Sequence, residues 1–217
     1  MLITKIERQK KNARRASVYL DGKFAVGVHE ETLTRFGLRK GDALDGKTLE
    51  DLRQAEELFK AKEKAMRFLS YRARSEKEIR DRLKKASYRA PIVDEVVDVL
   101  TRSGLLDDAT FARMYAHDTM ARKPFGKQLL RQQLRGKGVA KEIIEKLIAE
   151  LYTPQTEESF ALSLAKKHLV RSLRSPRAKK LQELVKQKKR LADYLVRRGF
   201  DWETVSSVVS KLLPNHS

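Results

Sequence analysis

The chain has 217 residues, 41% of them hydrophobic, enough apolar material for one elongated domain or two small ones; disorder of the whole chain is excluded. Its 48 Lys+Arg stand against 29 Asp+Glu, a net charge of +19, and such a surplus calls for a polyanion or an acidic protein as partner. The lack of cysteine excludes disulfides and Cys-ligated metal centres, and no stretch reaches the roughly 18–20 apolar residues of a membrane span.

Taken in chain order, the first segment reads as a small β unit over residues 1–47. Leu2, Ile3 and Ile6 begin a strand, and the apolar-rich runs Ser17–Leu20 and Lys23–Val28 flank Asp21-Gly22, a two-residue hairpin signal because both central positions of a type I′ turn need positive φ. The intervening Arg8–Arg15 stretch reads as a basic loop. A short helix from Glu30 to Phe36, ended by Gly37, completes the unit.

From Thr48 the apolar period changes from 2 to 3.6, with Leu49, Leu52, Ala55, Leu58, Phe59, Ala65, Met66 and Leu69 on one stripe, and Thr48 is placed to cap the helix. Ser75 with Glu78 predicts a capping box for the next helix, and Asp107 and Thr153-Pro154 mark two further helix starts.

An internal repeat organises the rest. Ile79, Leu83, Tyr88, Val93, Val96, Val97 and Leu100 recur 51 residues on as Leu130, Leu134, Val139, Ile144, Leu147, Ile148 and Leu151. A further 61 residues on they recur as Leu191, Leu195, Phe200, Val205, Val208, Val209 and Leu212. Each copy follows another helical stripe, Ala65/Met66/Leu69, Phe111/Met114/Tyr115 or Phe160/Leu164/Ala165/Leu169. The fold expected is mainly α: tandem three-helix repeats at 48–103, 104–152 and 153–217, forming an elongated curved body behind the β-hairpin-containing unit at 1–47.

Candidate chemistry is sparse. His29, His117, His168 and His216 lie far apart, with no pair at metal-ligand spacing. Asp107-Asp108 is a tempting carboxylate pair, but adjacent residues on a helix start face different ways, and Asp107 reads as a cap with Asp108 favouring the positive helix end. Lys123-Pro124-Phe125-Gly126-Lys127 lacks the full phosphate-loop pattern and reads as a helix connection. No catalytic residue, metal or cofactor is assigned, and the chain is expected not to be an enzyme.

What remains is basic surface. Net charge is +5 over residues 1–47, +3 over 48–103, +3 over 104–153 and +8 over 154–217, a spread that suits a surface tracking a long anion. The second helix of each repeat is the candidate contact element. Its cations are Arg80, Lys84 and Lys85 in the first copy, and Lys127, Arg131, Arg135 and Lys137 in the second. The third copy carries Lys186, Lys188, Lys189, Arg190, Arg197 and Arg198. Arg131, Arg135 and Lys137 flank core positions, so their charges are expected to be available to phosphates.

The motifs are also familiar. Arg72-Ala73-Arg74-Ser75-Glu76-Lys77-Glu78-Ile79 through Leu83, Gly104-Leu105-Leu106-Asp107-Asp108-Ala109-Thr110-Phe111-Ala112, and Gly126 through Leu134-Arg135-Gly136-Lys137-Gly138-Val139 resemble three segments of the RecX family. Ile3-Thr4-Lys5-Ile6 through Phe24-Ala25 resembles the N-terminal extension of a subset of it. The lack of cysteine, of an apolar leader and of a membrane span reads as a cytoplasmic protein without membrane contact, expected to be a monomer. The resemblance implies binding to the filament of the RecA recombinase on DNA, single-stranded with duplex left open. It implies inhibition of RecA ATPase and strand exchange and a damped SOS response, although the residues alone leave the sign of the effect open. They also leave open a general DNA-binding protein without RecA dependence. The third copy is the most divergent, with a basic insertion near Arg171–Lys180.

Overall fold

The computed structural model describes residues 1–173 and 181–214, and forms two compact units, residues 1–72 with 79–106 and residues 73–78 with 107–217. The insertion near Arg171–Lys180, apart from the backbone of 171–173, and His216 lie outside the described residues.

Strands β1 (Ile3–Gln9), β2 (Asn12–Leu20) and β3 (Lys23–His29) form an antiparallel sheet in the order β1-β2-β3. Asp21 and Gly22 turn at φ 48° and 81°, as a type I′ hairpin requires. The Arg8–Arg15 stretch is not a loop: β1 and β2 pair through Arg8 with Ala16 and Gln9 with Asn12, leaving only Lys10-Lys11 as the turn. Ladder hydrogen bonds satisfy the backbone whatever the side chains, so the hairpin outruns its apolar pattern.

Helix α1 (Glu30–Arg35) is short and ends before Gly37 at φ 61°. Helix α2 (Gly46–Tyr71) starts earlier than its apolar stripe suggests. Asp45, not Thr48, is its cap, Oδ1 accepting the Thr48 N–H at 2.7 Å. Its first turns give Leu49 and Leu52 to a core with Ile3, Val18, Leu20, Val28 and Leu44, and its later turns give Ala61 and Ala65 to a second core. Met66 and Met114, placed by periodicity on the stripes, are 46% and 50% exposed. Alanines at 61, 65, 112 and 116 fill those faces instead, because a small side chain lets helices close on one another.

The repeats comprise α3 (Glu76–Lys85) with α4 (Ala90–Arg102), α6 (Lys127–Gly136) with α7 (Lys141–Leu151), and α9 (Leu181–Arg197) with α10 (Trp202–Leu212). Helix α5 (Asp108–Arg122) precedes the second pair and α8 (Pro154–Leu173) the third. The repeated apolar positions are all buried except Tyr88, Leu151, Val209 and Leu212, which pack half-buried on the same three cores.

The turn inside each pair repeats too. Ser87, Gly138 and Gly199 adopt φ 66°, 82° and 84°, and the residue after each donates its N–H to the carbonyl of Leu83, Leu134 and Leu195 at 3.2, 3.1 and 3.3 Å. This is a left-handed helix cap closing on a short turn.

Candidate nucleic-acid interface

The repeat positions the cations of α3, α6 and α9 by the same means in each copy. Two leucines or an Ile–Leu pair one turn apart fix each helix on its core, so the residues between them emerge at the flank or at the solvent side.

The flank residues are already engaged. Arg80 pairs with Asp94 across the α3–α4 hairpin, and 51 residues on Arg131 meets Glu145 across α6–α7 in a fork, Nε to Oε1 at 2.7 Å and Nη2 to Oε2 at 2.6 Å. Glu145 is held below the usual carboxylate range by that hydrogen bond. The third copy has Ala192 and Ser206 at the corresponding positions. The Lys127 ammonium lies 2.6 Å from Asp201 and 2.9 Å from the buried Glu157, and these two hydrogen bonds raise its pKa. Lys137 reaches Glu78 at 2.9 Å and sits 4.8 Å from the centre of the Tyr115 ring. Arg198 donates to the carbonyls of Pro124 at 2.7 Å and Lys123 at 3.3 Å. Arg131 and Lys137, expected to be available to phosphates, are thus each held by an acid of the chain itself, Lys137 by an aromatic ring as well.

Contacts to the backbone tie the same elements together. Ser75 Oγ donates to the Lys137 carbonyl at 2.7 Å, and 51 residues after Ser75 the Gly126 N–H donates to the Arg198 carbonyl at 2.8 Å. The start of the second helix of one copy thus rests on the turn of the next. A Cβ on Gly126 or Gly199 would run into that facing backbone, so glycine is required where the two approach.

The solvent-side cations form the remaining set. Lys84, Lys85, Arg135 and Arg197 occupy the last turn of α3, α6 and α9 and are exposed, where a positive charge also suits the helix dipole. On α9, Lys186, Lys189, Arg190 and Arg197 are exposed on the side opposite the buried Leu191 and Leu195, with Asp193 the one exposed acid of that helix among the described residues. Lys188 is half-buried. This face can take successive phosphates, each by a long flexible ammonium or guanidinium.

The carboxylate pair separates as the spacing suggests. Asp107 caps α5, accepting from the Ala109 and Thr110 N–H groups at 3.0 and 3.1 Å. Asp108 turns instead to α3, accepting the Glu76 N–H at 2.8 Å, and burial pushes its carboxyl pKa up. Among the described residues no group of three His, Cys, Asp or Glu is placed to hold a metal, and no helix is long and apolar enough to cross a membrane. The ion-pair partners Asp94, Glu145 and Glu78 are not apparent from the apolar pattern. Arg and acid recur fourteen residues apart in the first two copies, so extending the repeat alignment to polar positions finds the first two.

Comparison with known proteins agrees with this architecture along the chain. Residues 1–45 match the regulatory protein RecX N-terminal domain, residues 61–100 the first three-helix domain of RecX, and residues 107–148 the second. The regulatory protein RecX of Clostridioides difficile (strain 630) is 32% identical over 98% of this chain and 96% of its own length. That of Bacillus subtilis (strain 168) is 33% identical over 97% of this chain and 76% of its own. A crystal structure of regulatory protein RecX superposes with a TM-score of 0.78 at 29% identity, covering 95% of this chain and 98% of the other. With the N-terminal sheet, the repeated helix pairs and near full-length identity in agreement, the chain belongs to the RecX family of regulatory proteins.

Proposed function

We propose that this protein regulates the RecA recombinase by binding its filament on single-stranded DNA and limiting ATP hydrolysis and strand exchange, and with them the SOS response. The observation that carries the nucleic-acid part is the exposed basic face of α9, together with the exposed cations in the last turn of α3 and of α6. The family membership carries the RecA part. Lys84, Lys85, Arg135, Lys186, Lys189, Arg190 and Arg197 take phosphates, each contact releasing condensed counterions. Arg80, Lys127, Arg131, Lys137 and Arg198 hold the helices that present them. The protein acts as a monomer in the cytoplasm, without a cofactor and without catalysing a reaction of its own.

The test is steady-state ATP hydrolysis by RecA on single-stranded DNA with increasing amounts of this protein. The expected result is a dose-dependent fall at protein levels below saturation of the free DNA. An unchanged rate, with DNA binding by this protein intact, would instead identify a general DNA-binding protein.

A further inference from the structure

The N-terminal sheet has a solvent face that the repeats do not explain. The inner row of β2, Ala16, Val18 and Leu20, is buried, Val18 and Leu20 in the core shared with α2. Side chains alternate along a strand, so the opposite row faces water. There Lys5, Tyr19 and Phe24 stand abreast across the three strands. The Tyr19 and Phe24 rings meet edge to face at 5.9 Å between centroids, and Lys5 Nζ lies 5.6 Å from the centre of the Tyr19 ring. Phe24 is 61% exposed. In the next row Glu7, Ser17 and Gly27 are paired across the strands; it is low at Ser17 and Gly27, and the Gln9 amide lies over Gly27, donating to Ser17 Oγ at 3.2 Å.

Cations lie at both ends of this shelf. The ion pairs Lys5–Glu7 and Arg15–Glu56 leave Lys10 and Lys11 exposed at the tip of the β1–β2 hairpin and Lys23 exposed beside Phe24, while Arg8, paired with Ala16, and Arg14 belong to the opposite row; no acid occurs between Glu7 and Asp21. A protein-docking patch would present contiguous apolar surface, whereas here one aromatic ring projects from a polar, positively charged sheet.

We propose that this face is a binding platform for single-stranded nucleic acid, separate from the basic helix faces. A base stacks on the Phe24 ring, which Tyr19 buttresses from the side, Lys23 lies beside it, and Lys10 and Lys11 at the hairpin tip take phosphates several nucleotides further along the strand. The Gln9 amide is placed to hydrogen-bond the edge of the stacked base. The ligand is a single strand because a ring on an open sheet can stack only on a base whose π-face is free, as in single-strand readers that use sheet aromatics.

The experiment measures binding of the full chain to fluorescein-labelled oligo(dT) by anisotropy, without RecA, so its outcome is independent of the ATPase test. Phe24→Ala is expected to weaken binding roughly tenfold, Phe24→Leu to do the same, and Phe24→Trp to restore it. Thermal melting should stay unchanged because the ring is exposed. On an abasic strand of equal length the wild type and Phe24→Ala should bind alike. Lys10→Gln with Lys11→Gln should flatten the salt dependence of log K by about 0.7 for each phosphate no longer neutralised. Equal affinity of Phe24→Ala and wild type for oligo(dT), or an equal loss on the abasic strand, overturns the proposal.

Discussion

Asp107 and Asp108 are neighbours in sequence and serve different helices. Asp107 closes the α5 N-terminus through two backbone amides and the Thr110 hydroxyl, which holds its carboxyl below the usual range. Replacing it by Ala should cost about 1 kcal/mol in urea unfolding, and by Asn almost nothing, since either cap supplies an acceptor. Asp108 is the opposite case. Burial, with Glu76, Asp107 and Glu78 near it, raises its pKa above the unfolded value of 3.8. The folded chain then binds this proton more tightly than the unfolded chain, so the contribution weakens stability as pH rises through that window. Asp108→Asn keeps the acceptor for the Glu76 N–H and removes the charge. Its Tm relative to wild type should therefore climb as pH is raised from about 4. A difference that does not change with pH would mean that the carboxylate carries no burial cost.

At the scale of elements, the helix-pair turn is the unit that repeats. The first copy has Ser87 at φ 66° where the others have glycine, and a side chain in the left-handed region is strained. Ser87→Gly should stabilise the chain by about 1 kcal/mol in chemical denaturation. Gly199→Ala should do the reverse and by more, because its Cβ would meet the Leu129 backbone besides adopting φ 84°. If both substitutions proved neutral, the turns would be less confined than their hydrogen bonds imply. The apolar spacing made these helices and their caps legible, since burial acts on every copy alike. The partner of Lys137 was not legible, because a cation at the flank of a helix has the same local sequence whether it meets water or an acid from another helix; that of Arg131 shows only when the repeat alignment is carried to polar positions.

For the whole molecule, charge is the property that reaches the partner. Changing Lys186, Lys189, Arg190 and Arg197 together to Gln should preserve helical circular dichroism and weaken binding to single-stranded DNA. It should also make the slope of log K against log salt shallower by about 0.7 for each phosphate that the helix ceases to neutralise. An unchanged slope would move the binding surface off α9. By contrast, changing Arg131, Arg135 and Lys137 to Gln should lower the unfolding midpoint as well, because two of the three hold Glu145 and Glu78. The amino-acid sequence by itself determined the helical repeat, the Asp21-Gly22 hairpin and the basic character, since periodicity, turn chemistry and net charge are properties of neighbouring residues or of the chain total. Only the tertiary structure decided which cations face solvent, that Asp45 starts α2, and that Phe24 stands exposed beside Tyr19. Each of those outcomes depends on groups brought together from distant positions, where distance and burial, rather than residue type, select the partner.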